Sequence, residues 1–368
     1  MFPIEIMKQV LLFEYASGGG IEQTDEFSFL MSEGFGMLSK LITDFSQLGL
    51  EIHTLIDTKV LQKFHISHQE ILKVHKLHYE VITAKAEIFS KISDILPKCD
   101  YILIIAPEYS NILYDIIYFV EHRIKSHQIL LNLSSKAVAI FTDKLKTESY
   151  LSSKGCSVPK SIKLSELRFA HLPCEQEFIV KPIDGVGASD TYCLRPNCND
   201  DMKTLILNIS QKSLHRFLIQ EKFDGNSLSA FIAAKNGQIT YFTINSQSIS
   251  YLQKTQQITQ LEYVGGSTPY EDLSLDVFHA IKQVASTICD QFQMTGFMGI
   301  DFIYNDKMNS YVILDINPRV TTPYIAISEL FRENNSNILQ CLFTGEFRGK
   351  IRGKKSFVKT SENTITLK

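Results

Sequence analysis

Residues 297–304 read FMGIDFIY, residues 305–310 read NDKMNS and residues 311–317 read YVILDIN, a pattern that predicts a strand, a turn and a returning strand. Asp315, Asn317 and Arg319 are two residues apart, so their side chains leave the same face of the chain. Antiparallel pairing around the turn places Asp301 opposite either Leu314 or Asp315, and the sequence does not fix which register forms. Only the second register puts both carboxylates on one face.

A divalent metal is the simplest reason to gather these side chains. Two like charges that face each other across a strand pair repel, and Asn317 adds a third oxygen ligand beside them. A hard cation such as Mg²⁺ reverses that balance, because it is usually held by one or two carboxylates together with phosphate oxygens. We therefore predict a metal site at Asp301, Asp315 and Asn317, with an exposed hairpin face that carries solvated Asp side chains as the alternative.

Length and composition place the chain among the globular proteins. Its 368 residues are too many for one ordinary core, so two or three domains are expected. The hydrophobic fraction of 44% and the charged fraction of 21% are ordinary values for a globular protein. A net charge of -3 provides no overall attraction for nucleic acid or for an anionic membrane, so the expected partners are small molecules.

The cysteines and the N-terminus predict a cytoplasmic protein. The cysteines number seven, are scattered and include no Cys-x-x-Cys pair, which favours reduced thiols over disulfides or a structural zinc site. Glu5, Lys8 and Glu14 interrupt the first apolar run, so no signal peptide is predicted. The most apolar window, 111–120, is far shorter than the ~20 residues that a membrane span needs.

Strands and helices alternate in the first third of the chain, which predicts a parallel α/β domain over residues 1–130. The predicted strands are 10–15, 51–56 and 101–106, and the predicted helices are 35–48 and 110–123.

The remaining chain is predicted to be α+β with antiparallel sheets. Its predicted helices are 143–154, 201–212 and 275–292, and its predicted strands are 178–182, 217–222, 230–234 and 239–245, followed by the hairpin. The last stretch is rich in Lys and Arg, and we interpret it as a solvated basic tail, with a phosphate or partner contact as the alternative.

Three further segments are candidates for binding phosphate or a base. Lys181 ends a predicted strand and is followed by the small-residue loop 184–189, whose backbone N–H groups can approach phosphate oxygens, with a plain turn as the alternative. Residues 220–223 read QEKF and can form an adenine slot, with a charged edge strand as the alternative. Lys144 begins a predicted helix and can reach a phosphate, although a surface lysine is the commoner case.

Other chemistries are less well supported. The histidines at 65, 68, 75 and 78 lack the partners of a zinc pattern and predict a solvated face. The glycines at 18–20 lack the third glycine of a dinucleotide fingerprint, and no Gly-x-Ser-x-Gly elbow is present.

Taken in order, these motifs resemble the ATP-grasp superfamily over roughly residues 130–345. Four segments resemble, more narrowly, the tyramine-glutamate ligase group of methanofuran biosynthesis: 12–20 (LFEYASGGG), 181–187 (KPIDGVG), 262–266 (EYVGG) and 317–322 (NPRVTT). The chain departs from the superfamily pattern at Asp315, where a glutamate is usual; the shorter side chain implies either a shifted metal position or one metal ion in place of two. It also lacks an evident acidic ribose contact after Phe223.

The resemblance implies a fold of three parts. An N-terminal parallel α/β (pre-ATP-grasp) domain would span 1–130, followed by an ATP-grasp fold of two α+β subdomains and the basic tail at 351–368. The first subdomain would span 131–225 and carry the lysines and the glycine-rich loop. The second would span 226–350 and carry the metal-binding hairpin.

The resemblance also implies roles for the site residues. Arg319 and Lys181 would be catalytic, with Arg319 stabilising an oxyanion, and Mg²⁺, or alternatively Mn²⁺, would be held by the hairpin. Thr321, Thr322 and a loop at Gly265-Gly266 are candidate contacts to the acceptor. The residues implied in ATP binding are Lys144, Lys181, Asp184, Gly185, Gly187, Ser189, Gln220, Glu221 and Phe223.

The function implied is that of an ATP-dependent, ADP-forming carboxylate-amine ligase that works through an acyl phosphate. The substrates would be a small carboxylate and an amine, such as glutamate and tyramine, with no nucleic acid or membrane partner. A phosphotransferase on the same fold and a non-catalytic ATP-binding protein are the alternatives. The oligomeric state is left open, with a homodimer as one option.

Overall fold

The computed structural model describes residues 8–21, 25–64, 74, 76–167, 176–185, 187–195, 216–345, 351–360 and 365–368. Over these residues the chain forms a five-stranded parallel sheet and an eleven-stranded antiparallel sheet. This arrangement confirms the predicted order of a parallel α/β region followed by an antiparallel α+β region. The helix predicted at 201–212 lies outside the described residues.

The parallel sheet has the strand order β3-β2-β1-β4-β5. The strands and helices of this region are β1 (Gln9–Glu14), α1 (Asp25–Gln47), β2 (Glu51–Asp57), α2 (Thr58–Phe64), β3 (Leu77–Ile82), α3 (Ile88–Ile95), β4 (Tyr101–Ile105), α4 (Ile112–Glu121) and β5 (Ile129–Leu130). The order reverses between β1 and β4, and in open α/β sheets ligands bind beyond the carboxyl ends of the strands at such a point.

Strand β1 is buried on both faces, as a central parallel strand requires. Leu11 and Phe13 pack into one hydrophobic cluster, whereas Val10 and Leu12 pack into another, and all four side chains are fully buried. Helix α1 contributes much of the second cluster. A continuous apolar run is therefore the sequence signature of this strand.

The antiparallel sheet has the order β14-β13-β10-β11-β12-β8-β7-β9-β6, with β15 paired to β12 and β16 to β15. The strands and helices of this region are α5 (Ser135–Phe141), α6 (Lys144–Ser153), β6 (Ser161–Lys163), β7 (Phe178–Pro182), β8 (Thr191–Leu194), β9 (Phe217–Glu221), β10 (Asn226–Lys235), β11 (Gln238–Gln253), β12 (Ile258–Thr268), α7 (Leu275–Gln291), β13 (Gly296–Asn305), β14 (Ser310–Asn317), α8 (Tyr324–Glu333), α9 (Gln340–Thr344), β15 (Lys355–Lys359) and β16 (Ile365–Leu367).

The hairpin β13–β14 contains both of the registers that the sequence allows. Near the turn, Phe302 is opposite Ile313, a pairing that by itself would place Asp301 opposite Leu314. A β-bulge inserts Leu314 as an extra residue, and beyond it Asp301 is opposite Asp315. The bulge therefore puts both carboxylates on one face.

Helix α1 connects the two sheets through buried polar contacts. The Tyr324 hydroxyl at the start of α8 donates to Asp44 Oδ2 at 2.6 Å, and the Asn337 side-chain amide donates to the Asp44 carbonyl at 2.7 Å. Burial raises the pKa of the Asp44 carboxyl, although the hydrogen bond from Tyr324 lowers it. These contacts fix α1 against α8 and the segment that follows α8.

Two predictions for the C-terminal half are wrong. The last stretch is not simply a solvated tail, because residues 355–359 form β15 and Phe357 is almost fully buried. Gly265 and Gly266 lie within β12 and not in a loop. A Cβ atom on Gly265, whose φ is 141°, would lie 2.2 Å from the Phe357 carbonyl oxygen, so glycine permits β15 to pair there. Within the described residues, no helix has the length and apolar character of a membrane span.

Candidate active site

A cavity of about 600 Å³ lies between the two sheets. Its walls include residues beyond the carboxyl ends of β1 and β4, so the cavity opens at the point where the parallel order reverses. The antiparallel sheet contributes residues of β7 to β14. Most of the predicted site residues line this cavity.

The hairpin brings together the three predicted metal ligands. Asp301, Asp315 and Asn317 all line the cavity, and the Asn317 side-chain amide donates to Asp301 Oδ2 at 2.8 Å. Gln247 donates to the other oxygen, Asp301 Oδ1, at 2.9 Å. Burial raises the pKa of Asp301 to about 6; the Asn317 and Gln247 hydrogen bonds lower it and the charge of Asp315 raises it.

Lys144 is held at the start of α6, where Asp143 caps the helix by accepting from the N–H groups of Leu145 and Lys146. Its ammonium lies 3.1 Å from Asp315 Oδ2 and donates to the Gly185 carbonyl at 2.8 Å. The lysine therefore connects the Asp315 carboxylate to the glycine-rich loop. In this structure the cation beside Asp315 is the Lys144 ammonium group.

Lys181 lies on β7 with its side chain in the cavity wall and only 8% of the residue exposed. Burial and the charge of Lys144 lower the pKa of Lys181 to about 8, although Asp315 and Asp301 raise it. Two ammonium groups and two carboxylates thus share one partly enclosed space. An anionic ligand would relieve the repulsion between the lysines.

The loop after β7 is only partly as predicted. Gly185, Gly187 and Ser189 line the cavity, whereas Val186 lies outside the described residues. Asp184 does not line it: its carboxylate pairs with Arg216 at 2.7 Å and accepts from the N–H of Ser110 at 2.9 Å. These contacts indicate that Asp184 fixes the loop, whereas the resemblance in sequence implied that it would contact ATP.

The end of β9 and the residues that follow it form one wall of the cavity. Gln220, Glu221 and Phe223, the residues implied in binding adenine, line it, and the apolar side chains of Ile179 and Leu314 line it as well. A flat aromatic base requires this combination of apolar surface and backbone polar groups. Leu314 is the extra residue of the bulge. The bulge therefore brings Asp301 opposite Asp315 and also contributes an apolar side chain to the cavity wall.

Arg319 follows the hairpin and is held by a buried carboxylate of the parallel domain. Its Nε–H and one Nη2–H donate to the two oxygens of Glu108 at 2.8 and 3.1 Å, and Nη1 donates to the Val320 carbonyl at 3.1 Å. Burial lowers the pKa of Arg319, but the paired Glu108 raises it more, so the net shift is upward. The guanidinium is fixed in one orientation at the cavity wall.

Sequence reasoning missed several polar residues of the cavity, among them Glu14, Glu33 and Tyr263. Glu14 is the one charged residue of the apolar strand β1, a signal that the sequence contained. Burial raises the pKa of the Glu14 carboxyl, which accepts hydrogen bonds from Ser17 and from the N–H of Ala16. Glu33 lies mid-helix and offered no signal of its own.

Only some of the residues predicted to contact the acceptor line the cavity, and the first glycine of the run at 18–20 is closely packed. Thr321 and Thr322 line the cavity, and the Thr322 hydroxyl donates to Glu33 Oε2 at 2.9 Å, whereas Gly265 and Gly266 do not line it. A Cβ atom on Gly18 would lie 2.4 Å from the Phe13 ring, so this part of the run serves close packing.

The histidine prediction is tested only in part. His78 lies on β3, pairs with Glu51 at 2.7 Å and has a half-exposed side chain. His65, His68 and His75 lie outside the described residues. No cluster of three or more His, Cys, Asp or Glu side chains with metal-binding geometry occurs in the described part of the chain.

The donor set fits a hard cation that shares its coordination with a ligand. It consists of two carboxylates and one amide oxygen, and Mg²⁺ sites of this size are completed by phosphate oxygens and water. Two lysines and an arginine at the same cavity supply the positive charge that a polyphosphate needs. The arrangement can hold a nucleoside polyphosphate and stabilise negative charge beside it.

Comparisons with known proteins agree with this geometry. Residues 141–323 match the model of the ATP-grasp domain family. The chain is similar to the tyramine–L-glutamate ligases of Methanocaldococcus fervens (27% identity over 357 residues, 94% of this chain and 98% of the relative) and Methanocaldococcus jannaschii (26% over 363 residues, 96% and 95%).

The fold is also that of a solved structure. The biotin carboxylase domain of the 2-oxoglutarate carboxylase from Hydrogenobacter thermophilus, in complex with MgADP, ADP and bicarbonate, superposes with a TM-score of 0.67. The identity is 12%, and the match covers 96% of this chain and 74% of that chain.

Proposed function

We propose that this chain, whose residues 141–323 match the ATP-grasp domain family, is an ATP-dependent carboxylate-amine ligase that joins glutamate to tyramine or a closely related amine through an acyl phosphate. The observation that carries the proposal is the single cavity lined by Lys144, Lys181, the hairpin carboxylates and Arg319. The substrate names come from the two similar ligases, which span nearly the whole chain.

In this proposal ATP binds between the apolar wall and the lysines. Ile179 and Leu314 cover the faces of the adenine, and the backbone around Glu221 and Phe223 meets its polar edge. Lys144 and Lys181 bind the phosphates. Lys144 is already anchored to the loop at Gly185, so a phosphate near this loop also meets its backbone N–H groups.

Asp301, Asp315 and Asn317 would hold Mg²⁺ on the phosphates. The ion, when bound, supplies positive charge that offsets the negative charge of the transferring phosphoryl group. Asp315 is an aspartate in place of the glutamate usual in the superfamily, and the hydrogen bonds from Asn317 and Gln247 orient Asp301. This chain therefore favours one ion over two.

The reaction has two stages. A carboxylate oxygen of the acid attacks the γ-phosphorus of ATP, the bond to the β-phosphate oxygen breaks, and ADP leaves with the electron pair. The ammonium group of the amine first loses a proton to solvent, and the neutral nitrogen then attacks the acyl carbon. Inorganic phosphate leaves with the electron pair, and the nitrogen gives up a second proton to solvent as the amide forms.

Arg319 stabilises the oxyanion of the second stage. A guanidinium has five N–H donors, and three of them are used by Glu108 and Val320. The other two have no acceptor among the residues that the structure describes, and Arg319 lines the cavity. Because Glu108 fixes the guanidinium in advance, little reorganisation is needed when the charge develops.

A substrate screen tests the proposal. Amino acids and amines are combined in pairs with ATP and Mg²⁺, ADP release is measured, and the product mass is determined. We expect ADP release to require both substrates and the product mass to equal their sum less one water, with glutamate and tyramine as the best pair. A phosphorylated product without amide would indicate a phosphotransferase, and ADP release at background with every pair would indicate an ATP-binding protein without turnover.

A further inference from the structure

Helix α1 presents a carboxylate within an apolar stripe to the cavity. Leu30, Glu33, Gly34 and Met37 all line it, and their spacing of three, four and seven residues places them on one helix face. A Cβ atom on Gly34 would lie 2.4 Å from the Glu14 carboxylate, so glycine lets the helix approach the end of β1. This face has no lysine or arginine to bind a phosphate.

Other residues of the parallel domain that line the cavity are also apolar. They are Ala16 and Ile21 after β1, and Ile105, Ala106 and Pro107 at the end of β4. The part of the cavity within the parallel domain is therefore a recess of apolar side chains with acidic groups at its edge. Such a recess disfavours the triphosphate and the acidic substrate, because its apolar side chains do not compensate their negative charges.

Of the two carboxylates, Glu33 has fewer hydrogen-bond donors within the protein: its Oε2 accepts from Thr322 alone, and its Oε1 is buried in an ion pair with Lys359. The oxygens of Glu14 accept from the N–H groups of Ala16 and Ser17 at 3.0 and 2.7 Å and from the Ser17 hydroxyl at 2.5 Å. Lys359 lies 3.6 Å from Glu33 Oε1 but is not part of the cavity wall.

Glu33 is also near the groups that perform the chemistry. Thr322, its hydrogen-bond donor, is three residues from Arg319. Tyr263 lines the cavity together with Glu33 and Asp301, and the charges of both carboxylates raise its pKa after the larger effect of burial. An ammonium group at Glu33 would thus be next to the place where Arg319 meets the acyl carbonyl.

From this geometry we infer that the recess of the parallel domain is the binding site of the amine substrate, with Glu33 pairing with its ammonium group and Leu30, Met37 and Ile105 covering an apolar substituent. The inference rests on the proposed ligase function and adds the substrate class: an amine with one positive charge and an apolar, ring-sized tail. The carboxylate binds the single ammonium group of such an amine, and the apolar side chains disfavour a second charge at the other end of the amine.

The first test separates amine binding from acyl phosphate formation. Hydroxylamine is small and largely uncharged at neutral pH, so it can trap the acyl phosphate as a hydroxamate without using the recess. For Glu33→Gln we expect the KM for tyramine to rise by about thirtyfold or more, as for loss of one partner of a buried charge pair. Hydroxamate formation and the KM for ATP should change little. Glu262→Gln is the matched control, since Glu262 is exposed and outside the cavity wall.

Two more variants exclude a folding effect. Glu33→Asp retains the charge and should recover part of the tyramine affinity. Glu33→Gln combined with Lys359→Met removes both charges of the pair and should retain hydroxamate formation while losing tyramine affinity. An unchanged KM for tyramine in Glu33→Gln, or in this double variant if the single variant does not fold, would overturn the inference.

The second test addresses the apolar substituent. We expect kcat/KM to fall from phenethylamine to ethylamine and to be low for a diamine, and Met37→Ala should lower kcat/KM for phenethylamine about tenfold with little effect on ethylamine. Equal values for phenethylamine and ethylamine would contradict the inference and leave the ligase function intact. Absence of both amide and hydroxamate in the wild-type protein would overturn the ligase function itself.

Discussion

Arg319 and Glu108 form a bidentate ion pair that joins the end of the hairpin to the parallel domain, although 211 residues separate them in the chain. The pair is buried, with 13% of the Arg319 side chain and 6% of the Glu108 side chain exposed. Its position at the cavity wall makes the geometry of the oxyanion site depend on how the two regions pack.

Arg319→Ala is expected to abolish amide formation and also to destabilise the protein. It removes the proposed oxyanion donor and leaves Glu108 buried without its partner, which lowers the free energy of unfolding by about 3 kcal/mol. Denaturant unfolding and product mass measure the two effects. Arg319→Ala with Glu108→Gln should recover stability but not activity, and an active double variant would contradict the role of Arg319.

Asp315→Ala is expected to abolish turnover while the protein remains folded. The variant removes a proposed metal ligand, and it also frees Lys144 from its contact with Asp315 Oδ2. Dependence of ADP release on Mg²⁺ concentration measures the effect, with Asp306→Ala, in the exposed hairpin turn, as the control. Activity of Asp315→Ala at the wild-type Mg²⁺ dependence would remove Asp315 from the site.

Nucleotide affinity is expected to weaken as the pH rises through the pKa of Lys181, about 8 in the free protein. A phosphate beside Lys181 favours the ammonium form and raises this pKa, so ADP binding takes up a proton just above that pH. Calorimetric titration in two buffers of different ionisation enthalpy measures the uptake. Lys181→Arg, which stays charged, should abolish it, and equal uptake in both proteins would assign the proton to another group.

Phe357→Ala is expected to lower the free energy of unfolding by about 3 to 5 kcal/mol, because Phe357 is the almost fully buried residue of β15. Denaturant unfolding measures the change. Met308→Ala, at a side chain that is 75% exposed, is the control and should stay within about 0.5 kcal/mol of the wild type. A small effect of Phe357→Ala would show that the C-terminal strands contribute little to the core.

The sequence predicted the hairpin, the lysines and the order of the two regions because these depend on local patterns. It did not predict the bulge at Leu314, since both registers satisfy the alternation of residues and tertiary packing selects between them. It did not predict Glu33 or Glu108, because each reaches the site through the packing of distant elements. The buried position of β15 was missed since its lysines dominate the composition of that segment.

Asp184 shows why a motif position does not settle a contact. The residue lies in the glycine-rich loop, but the pairing of its carboxylate with Arg216 turns it away from the cavity. The division of the chain at 130, 225 and 350 stays a prediction. Separate expression of residues 1–130 would test the first boundary, since an independent domain should unfold cooperatively on its own.

The most direct measurement is the anomalous scattering of Mn²⁺ in crystals of the protein with a non-hydrolysable ATP analogue. The account predicts a peak between Asp301 and Asp315, within about 2.0 to 2.6 Å of a carboxylate oxygen of each and adjacent to the phosphates. A bound nucleotide with no metal peak between these two residues, or with the metal held elsewhere, would contradict it.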